Sequence, residues 1–205
     1  MNPGPTFERV YLAVKEQLVS GRFAPGQHLE PAALGDELLS SITPVRDALH
    51  RLVGERLAEA PGHNGFRAPL LTESALRHLY RWSADLALVA LRSLRRSRPP
   101  ADLPLIADPC GPAPDQLPRA ASNLFAGLAQ LAGSPELEVA TINANERLFA
   151  ARKAEPDVLD DVADELGALT RQLRRSDLPA ARRGVARYCR RRCKAVPRIL
   201  EAMRS

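Results

Sequence analysis

The 205-residue sequence predicts a mainly α fold in two parts: an N-terminal unit of three helices closed by a small hairpin, then an all-helical bundle. Aromatic residues make up only 4% of the chain, Ala, Leu and Arg dominate and β-branched runs are scarce, so helix is favoured nearly everywhere. The exception is "APGHNGFRAP", where short extended pieces flank Asn64-Gly65, the strongest short hairpin signal.

The elements follow in order. Thr6 can cap a first helix, since Phe7, Val10, Val14 and Leu18 return at helical spacing and Gly21 supplies a stop. "FAPGQHLE" then carries a Pro-Gly turn, and a short second helix fits Pro31 to Leu39. In the third, Val45, Ala48, Leu49, Leu52 and Val53 recur at i, i+3, i+4, i+7, i+8. Thr43 is a good N-cap there, which puts Pro44 at the first helical position, where its missing N–H costs nothing. Three helices, the second and third joined by a short turn, followed by a hairpin, make a winged helix-turn-helix. Residues 1–70 form this unit and residues 71–205 the bundle.

Thr72 begins a long helix through Ser97, with Leu76, Leu79, Tyr80, Leu86 and Val89 as its apolar stripe. A Pro-rich loop over residues 99–118 cannot be helix. Helices follow over 119–132, 135–153, 157–175 and 179–203, with a kink or restart expected at Pro197.

Composition bounds the function. At 45% hydrophobic and 26% charged the chain is a folded soluble protein. It has no signal-like start and no run near the roughly 18 apolar residues a membrane span requires, so a cytoplasmic location and no membrane partner are expected. Cys110, Cys189 and Cys193 contain no C-x-x-C pair, which argues against a disulfide framework and a zinc finger. Cys189 and Cys193, four apart beside Arg190, Arg191, Arg192 and Lys194, sit where a thiol pKa should fall; they are either ordinary free thiols or a redox switch. No nucleophile, paired carboxylate or phosphate loop stands at a meaningful spacing, so an enzyme is not expected. Asp157, Asp160, Asp161, Asp164 and Glu165 read as surface charge complementing a helix start.

Residues 1–70 carry seven Lys and Arg against eight Asp and Glu, while Arg174 to Ser205 carries eleven basic residues and two acidic ones. That basic tail is either a solvated face or a nonspecific nucleic-acid surface.

Together, "GRFAPGQHL" and "LSSITPVRDALHRLVGERLAEAPGHNGFRAP" resemble the GntR family of bacterial transcription regulators over about 60 residues, its most specific part being Thr-Pro-Val-Arg-Asp-Ala-Leu. "NLFAGLAQLAGSPEL" and "LRRSDLPAARRGVARY" resemble segments of the FadR-type effector domain. The resemblance implies a homodimer that binds a pseudo-palindromic double-stranded DNA operator and changes affinity when a small molecule enters the helical effector domain. Arg46, in the first turn of the third helix, then stands where a cation meets DNA, and Arg51 lies further along the same helix. Ser41 and Thr43 either reach DNA or only cap, and His63, Asn64 and Gly65 either enter the minor groove or only turn. Ile42 stands where the family usually has Arg within Ser-Arg-Thr-Pro, and the wing lacks the common Arg beside its Gly. These departures keep open an alternative, a metabolite-sensing or protein-interaction module that has lost operator binding.

Many FadR-type effector domains hold a divalent metal with one Asp and three His. Here the corresponding positions are Ser122, Ala126, Leu166 and Tyr188, so no metal and no other cofactor is expected. The effector-pocket candidates are Arg81, Asn143, Arg147 and Tyr188, with Asn145 and Glu146 beside them; the alternative for each is a buried polar network or plain surface. The domain also looks short, with the Pro-rich loop in place of a helix.

Overall fold

The computed structural model describes residues 4–62, 65–94 and 114–204. His63, Asn64, Cys110 and the Pro-rich stretch up to residue 113 lie outside the described residues. The chain divides into two compact units, Met1–Leu71 and Thr72–Met203.

The first unit is built on α1 (Pro5–Val19), α2 (Pro31–Glu37) and α3 (Ile42–Gly54). Val10, Tyr11 and Val14 of α1 pack with Val45, Ala48, Leu49 and Leu52 of α3 in one core that also takes Leu29, Leu34, Leu57 and Phe66. Two helix starts differ from expectation. Gly4, not Thr6, precedes α1, because Pro5 supplies the fixed φ of a first helical residue. Likewise α3 begins at Ile42 with Ser41 before it, and neither helix start has a side-chain cap bond. Pro44 is therefore the third helical residue, still within the turn whose N–H groups have no intrahelical partner.

The wing has more backbone partners than a simple hairpin. Glu59 and Arg67 exchange both backbone hydrogen bonds at 2.9 Å. On its other side β2 (Phe66–Arg67) pairs antiparallel with β1 (His28–Leu29), a strand that precedes α2. Ala68 and Gln27 continue that pairing through a 2.8 Å bond.

The second unit holds α4 (Glu73–Ser93), α5 (Leu117–Leu131), α6 (Pro135–Ala154), α7 (Val162–Arg174) and α8 (Leu178–Ala202). Thr72 caps α4 by accepting from the Ala75 N–H at 3.1 Å. The α4 stripe is Leu76, Leu79, Tyr80, Leu86, Ala87, Ala90 and Leu91; Val89 falls outside it and is exposed. α5 packs on α6, while α8 packs on α4 and α7.

No restart occurs at Pro197, which lies inside a continuous α8. A proline there removes the hydrogen bond to the carbonyl four residues back, that of Cys193. Arg77 of α4 donates its Nε–H to this carbonyl at 3.2 Å, so the interruption is chemically repaired.

Candidate nucleic-acid interface and a charged bundle interior

The side of α3 away from the core is open. Ser41, Ile42, Thr43, Arg46, Asp47 and His50 are exposed, Ile42 at 50%. The N–H groups of Ile42 and Thr43 lie at the positive end of the helix dipole and have no intrahelical acceptor, which suits a phosphate. Among the described residues Arg46 has no hydrogen bond or ion pair, so its guanidinium is available to a ligand. Asp47 beside it limits the positive field.

Arg51 points elsewhere. Its Cζ lies 3.8 Å from the Tyr11 ring centre, and it pairs with Glu8 at 3.5 Å and Glu55 at 3.3 Å. The same Glu55 accepts from the Tyr11 hydroxyl at 2.8 Å and from Lys15 at 3.0 Å. Burial pushes the Glu55 carboxyl up, but the Tyr11 and Lys15 hydrogen bonds and the charges of Lys15 and Arg51 outweigh it and hold its pKa below the usual carboxylate range. Arg51 thus braces α3 against α1.

The turn ahead of α3 is held from α1. Arg9 donates to the Leu38 carbonyl at 2.8 Å, and Leu39 takes a left-handed φ of 50°. In the wing, Gly65 has φ 72°, and a Cβ there would stand 2.9 Å from the His28 ring. The positive φ is what favours glycine there, since the exposed His28 ring can swing aside. The His50 ring meets Phe66 edge-on at 4.8 Å, joining α3 to the wing stem.

The largely apolar interior of the second unit also holds buried charges. Arg192 of α8 is 0% exposed, with Nε donating to Glu155 Oε2 at 3.0 Å and Nη1 to Glu165 Oε2 at 2.5 Å. Glu155 also accepts from the Tyr80 hydroxyl at 2.8 Å. Arg192 stacks on Tyr188 with Cζ 3.3 Å from the ring centre. Burial lowers the Arg192 pKa, but Tyr188, Glu155 and Glu165 more than offset it and keep the group cationic. Burial chiefly, then the Glu155 charge, pushes the Tyr80 phenol well above its usual value. Glu165, expected among surface charges, is instead an inner partner, since Arg191 reaches it as well at 3.5 Å.

A second guanidinium is almost as deeply buried. Arg152 of α6 is 1% exposed, and its Nη1 donates to Ser122 Oγ at 3.0 Å and Asn145 Oδ1 at 2.9 Å. Its Nε and Nη2 make no hydrogen bond of good geometry, but Arg152 lies close enough to the Tyr188 phenol to lower its pKa against the larger, opposite effect of burial. Ser122 and Tyr188, two of the positions where a metal ligand would stand, do not fit a divalent cation, because a cationic Arg152 already bonds Ser122. Nor does any group of three His, Cys, Asp or Glu among the described residues suit a metal.

Residues 6–67 match the family of bacterial regulatory proteins, gntR family. The N-terminal unit is a GntR-family regulator domain. Curated relatives of this GntR domain carry regulator names. The Nta operon transcriptional regulator of Aminobacter aminovorans is 36% identical over 74 residues, 36% of this chain and 35% of its own length. The HTH-type transcriptional regulator McbR of Escherichia coli K12 is 33% identical over 90 residues, 44% of this chain and 41% of its own length. The matched stretch spans only 35% to 41% of such relatives. Solved structures extend the likeness in fold to both units. Escherichia coli McbR/YncC gives a TM-score of 0.71 at 19% identity, over 96% of this chain and 99% of its own. A GntR regulator from Rhodococcus sp. RHA1 gives 0.75 at 18% identity, over 95% and 97%.

The expected site residues therefore separate. In the GntR domain Ser41, Thr43 and Arg46 share the open start of α3, Gly65 lies in the wing, and Arg51 is engaged with α1. Of the effector-pocket candidates only Tyr188 is buried; Arg81 is exposed, and Asn143 and Arg147 are half-buried on the side of α6 away from Asn145. Arg152 was not marked in the sequence, and its only signal is position: Thr141, Asn145, Leu148 and Arg152 fall at i, i+4, i+7, i+11 on one buried face.

Part of the basic C-terminal run bonds within the unit, while Arg183, Arg187, Arg190 and Lys194 are exposed. Arg182 donates to the Leu91 carbonyl at 3.2 Å and Arg198 to that of Val158 at 2.9 Å, while Arg191 bonds the Asp160 carbonyl. The thiol pair also differs from expectation. Cys189 and Cys193 lie 3.9 Å apart, and burial first, then Cys193, pushes the Cys189 thiol up to about 12. Neighbouring arginines in sequence did not lower it, because only the charge of Arg81 acts in that direction.

Proposed function

We propose that this chain is a DNA-binding transcriptional regulator whose operator affinity is set by a small-molecule effector in the helical unit. The observation that carries the reading is the open start of α3 in a GntR-family domain, where Ser41, Thr43 and an unengaged Arg46 surround free N–H groups. DNA contact falls to these residues and to the wing at His63, Asn64 and Gly65. A FadR-type assignment of the helical unit rests on the segments quoted from the sequence and is consistent with helices around an apolar core that holds a few buried polar groups. The relatives are named as regulators and not as enzymes, in keeping with a non-enzymatic role. No helix among the described residues is long and apolar enough to cross a membrane, and we place the protein in the cytoplasm.

A homodimer on a pseudo-palindromic operator completes the reading. Exposed Trp82 and Val89, seven residues apart on one face of α4, support a second copy covering the helical unit. The test is a footprint on DNA flanking its own gene. A protected inverted repeat at low salt is expected, and its absence sinks the proposal.

Ile42 favours a second reading, a module that kept the fold and lost operator binding. An exposed isoleucine replaces a cation at the position best placed for guanine or phosphate. Ile42→Arg separates the two, gaining about 1 to 3 kcal/mol of DNA affinity if only that contact is missing.

A further inference from the structure

Cys189 and Cys193 stand on successive turns of α8 with their sulfurs 3.9 Å apart. Both face α4: Cys189 Sγ donates to the Tyr80 carbonyl at 3.7 Å and Cys193 Sγ to that of Arg77 at 3.8 Å. Tyr188, next in the chain, turns away and packs on Phe125. At the same level the Arg77 side chain bonds the Cys193 carbonyl and ties α8 to α4. Both thiols are half-buried, so packing sets the pair while solvent still reaches it.

A thiol is a weak donor and these contacts are long, so little holds either proton against an ion that prefers sulfur. Thiolate bonds to zinc are about 2.3 Å, and two of that length span at most about 4.6 Å between sulfurs. At 3.9 Å the pair lies within that span, and one ion can bond both sulfurs with the helix unchanged. Zinc itself takes four ligands, and no group of three His, Cys, Asp or Glu that could hold a metal occurs among the described residues. Calcium and magnesium require oxygen ligands. The chemistry that remains is a soft ion satisfied by two sulfurs, of the copper(I) type.

We propose that Cys189 and Cys193 form a two-thiolate site for copper(I) where α8 packs on α4. Both S–H bonds break and their protons pass to solvent as two sulfur–copper bonds form, and no electron changes hands. The resulting centre carries one negative charge, which Arg81 of α4 favours and Asp85 of the same helix opposes.

The test is transfer of copper(I) from its bicinchoninate complex to the reduced full chain in the absence of oxygen. One ion per chain should be withdrawn, and an equal concentration of zinc should not displace it. Cys189→Ser and Cys193→Ser should each weaken apparent affinity at least about 100-fold, because the second sulfur acts at a high effective concentration. Cys110→Ser should leave it unchanged. The inference is overturned if no copper is withdrawn, if either single variant of the pair keeps wild-type affinity, if Cys110→Ser loses it, or if zinc displaces the ion. Should the serine variants fail to fold, N-ethylmaleimide labelling of the wild-type chain, read by peptide mass spectrometry, decides. Copper(I) should block labelling of Cys189 and Cys193 together and leave Cys110 labelled. A pair that labels equally with and without copper, or that the reagent cannot reach without it, overturns the inference.

Discussion

Arg77 of α4 donates its Nε–H to the Cys193 carbonyl at 3.2 Å, and that carbonyl is the one Pro197 leaves without a helical donor. A long helix passes a proline here because another helix supplies the lost hydrogen bond. Arg77→Ala should then cost about 1 kcal/mol, the low end of the penalty for an orphaned carbonyl, because this one is only part-buried. In a Pro197→Ala background the backbone N–H returns, and the cost of Arg77→Ala should fall to within about 0.5 kcal/mol of zero. Urea denaturation of the four proteins in the cycle measures this. Equal costs in both backgrounds would show that Arg77 acts through Glu73 or packing instead.

Glu155 joins Tyr80 to Arg192 at the centre of the bundle. Replacing it with Gln keeps a neutral partner for the phenol but leaves Arg192 with Glu165 alone. The expected loss is about 3 kcal/mol, the lower end for breaking a buried ion pair, because Glu165 still holds Nη1. Tyr80→Phe removes one hydrogen bond to a carboxylate and should cost about 2 kcal/mol. Denaturation midpoints check both, and a Glu155→Gln protein as stable as wild type rules out a stabilising role for the pair.

These groups show where sequence reading stops. Helical periodicity locates every long helix, because Val45, Ala48, Leu49 and Leu52 bury one stripe and leave Arg46 and His50 outside. The same rule treats every arginine as surface, so it passes over Arg152 and Arg192, whose burial depends on partners from other helices. Glu165 is misread for the same reason. β1 leaves almost no periodic signal, being two residues long and defined by its pairing with Phe66 and Arg67. The open start of α3 is legible because its Ser-x-Thr-Pro-Val-Arg pattern is local.

Leu39, at the turn between α2 and α3, is 90% exposed and holds a φ of 50°. The left-handed conformation costs a non-glycine residue about 1 to 2 kcal/mol, and the exposed side chain returns little. Leu39→Gly relieves that strain but adds unfolded-state freedom worth up to about 1 kcal/mol. A net gain of roughly 0.5 to 1 kcal/mol is expected in thermal or urea denaturation. A loss of stability would mean that Leu39 packs in solution against something beyond this unit.

The Glu55 carboxyl has its pKa lowered in the folded chain, so it binds protons less readily there than when unfolded. Its contribution to stability is present above the unfolded value of about 4.3 and fades as pH falls through the folded one. Glu55→Gln should therefore destabilise the GntR domain at pH 7 and make little difference at pH 3. Denaturation of both proteins at the two pH values tests this, and a difference that grows on acidification contradicts the sign.

Arg46 and Arg51 lie five residues apart on α3 but make opposite predictions. Arg46 is exposed and unengaged, so Arg46→Ala should weaken operator binding by about 1 to 3 kcal/mol and leave Tm unchanged. Arg51 covers the Tyr11 ring at 3.8 Å and pairs with Glu8 and Glu55, so Arg51→Ala should lower stability by about 0.5 to 1 kcal/mol. Its effect on operator affinity should be small once folding is complete. Shift assays across a salt series, run beside thermal melts, resolve the two roles, because losing a phosphate contact reduces the salt slope by about one and losing a brace does not. If Arg51→Ala weakens operator binding as much as Arg46→Ala, α3 must turn its Arg51 side toward DNA when bound, and the brace to Tyr11 would have to open.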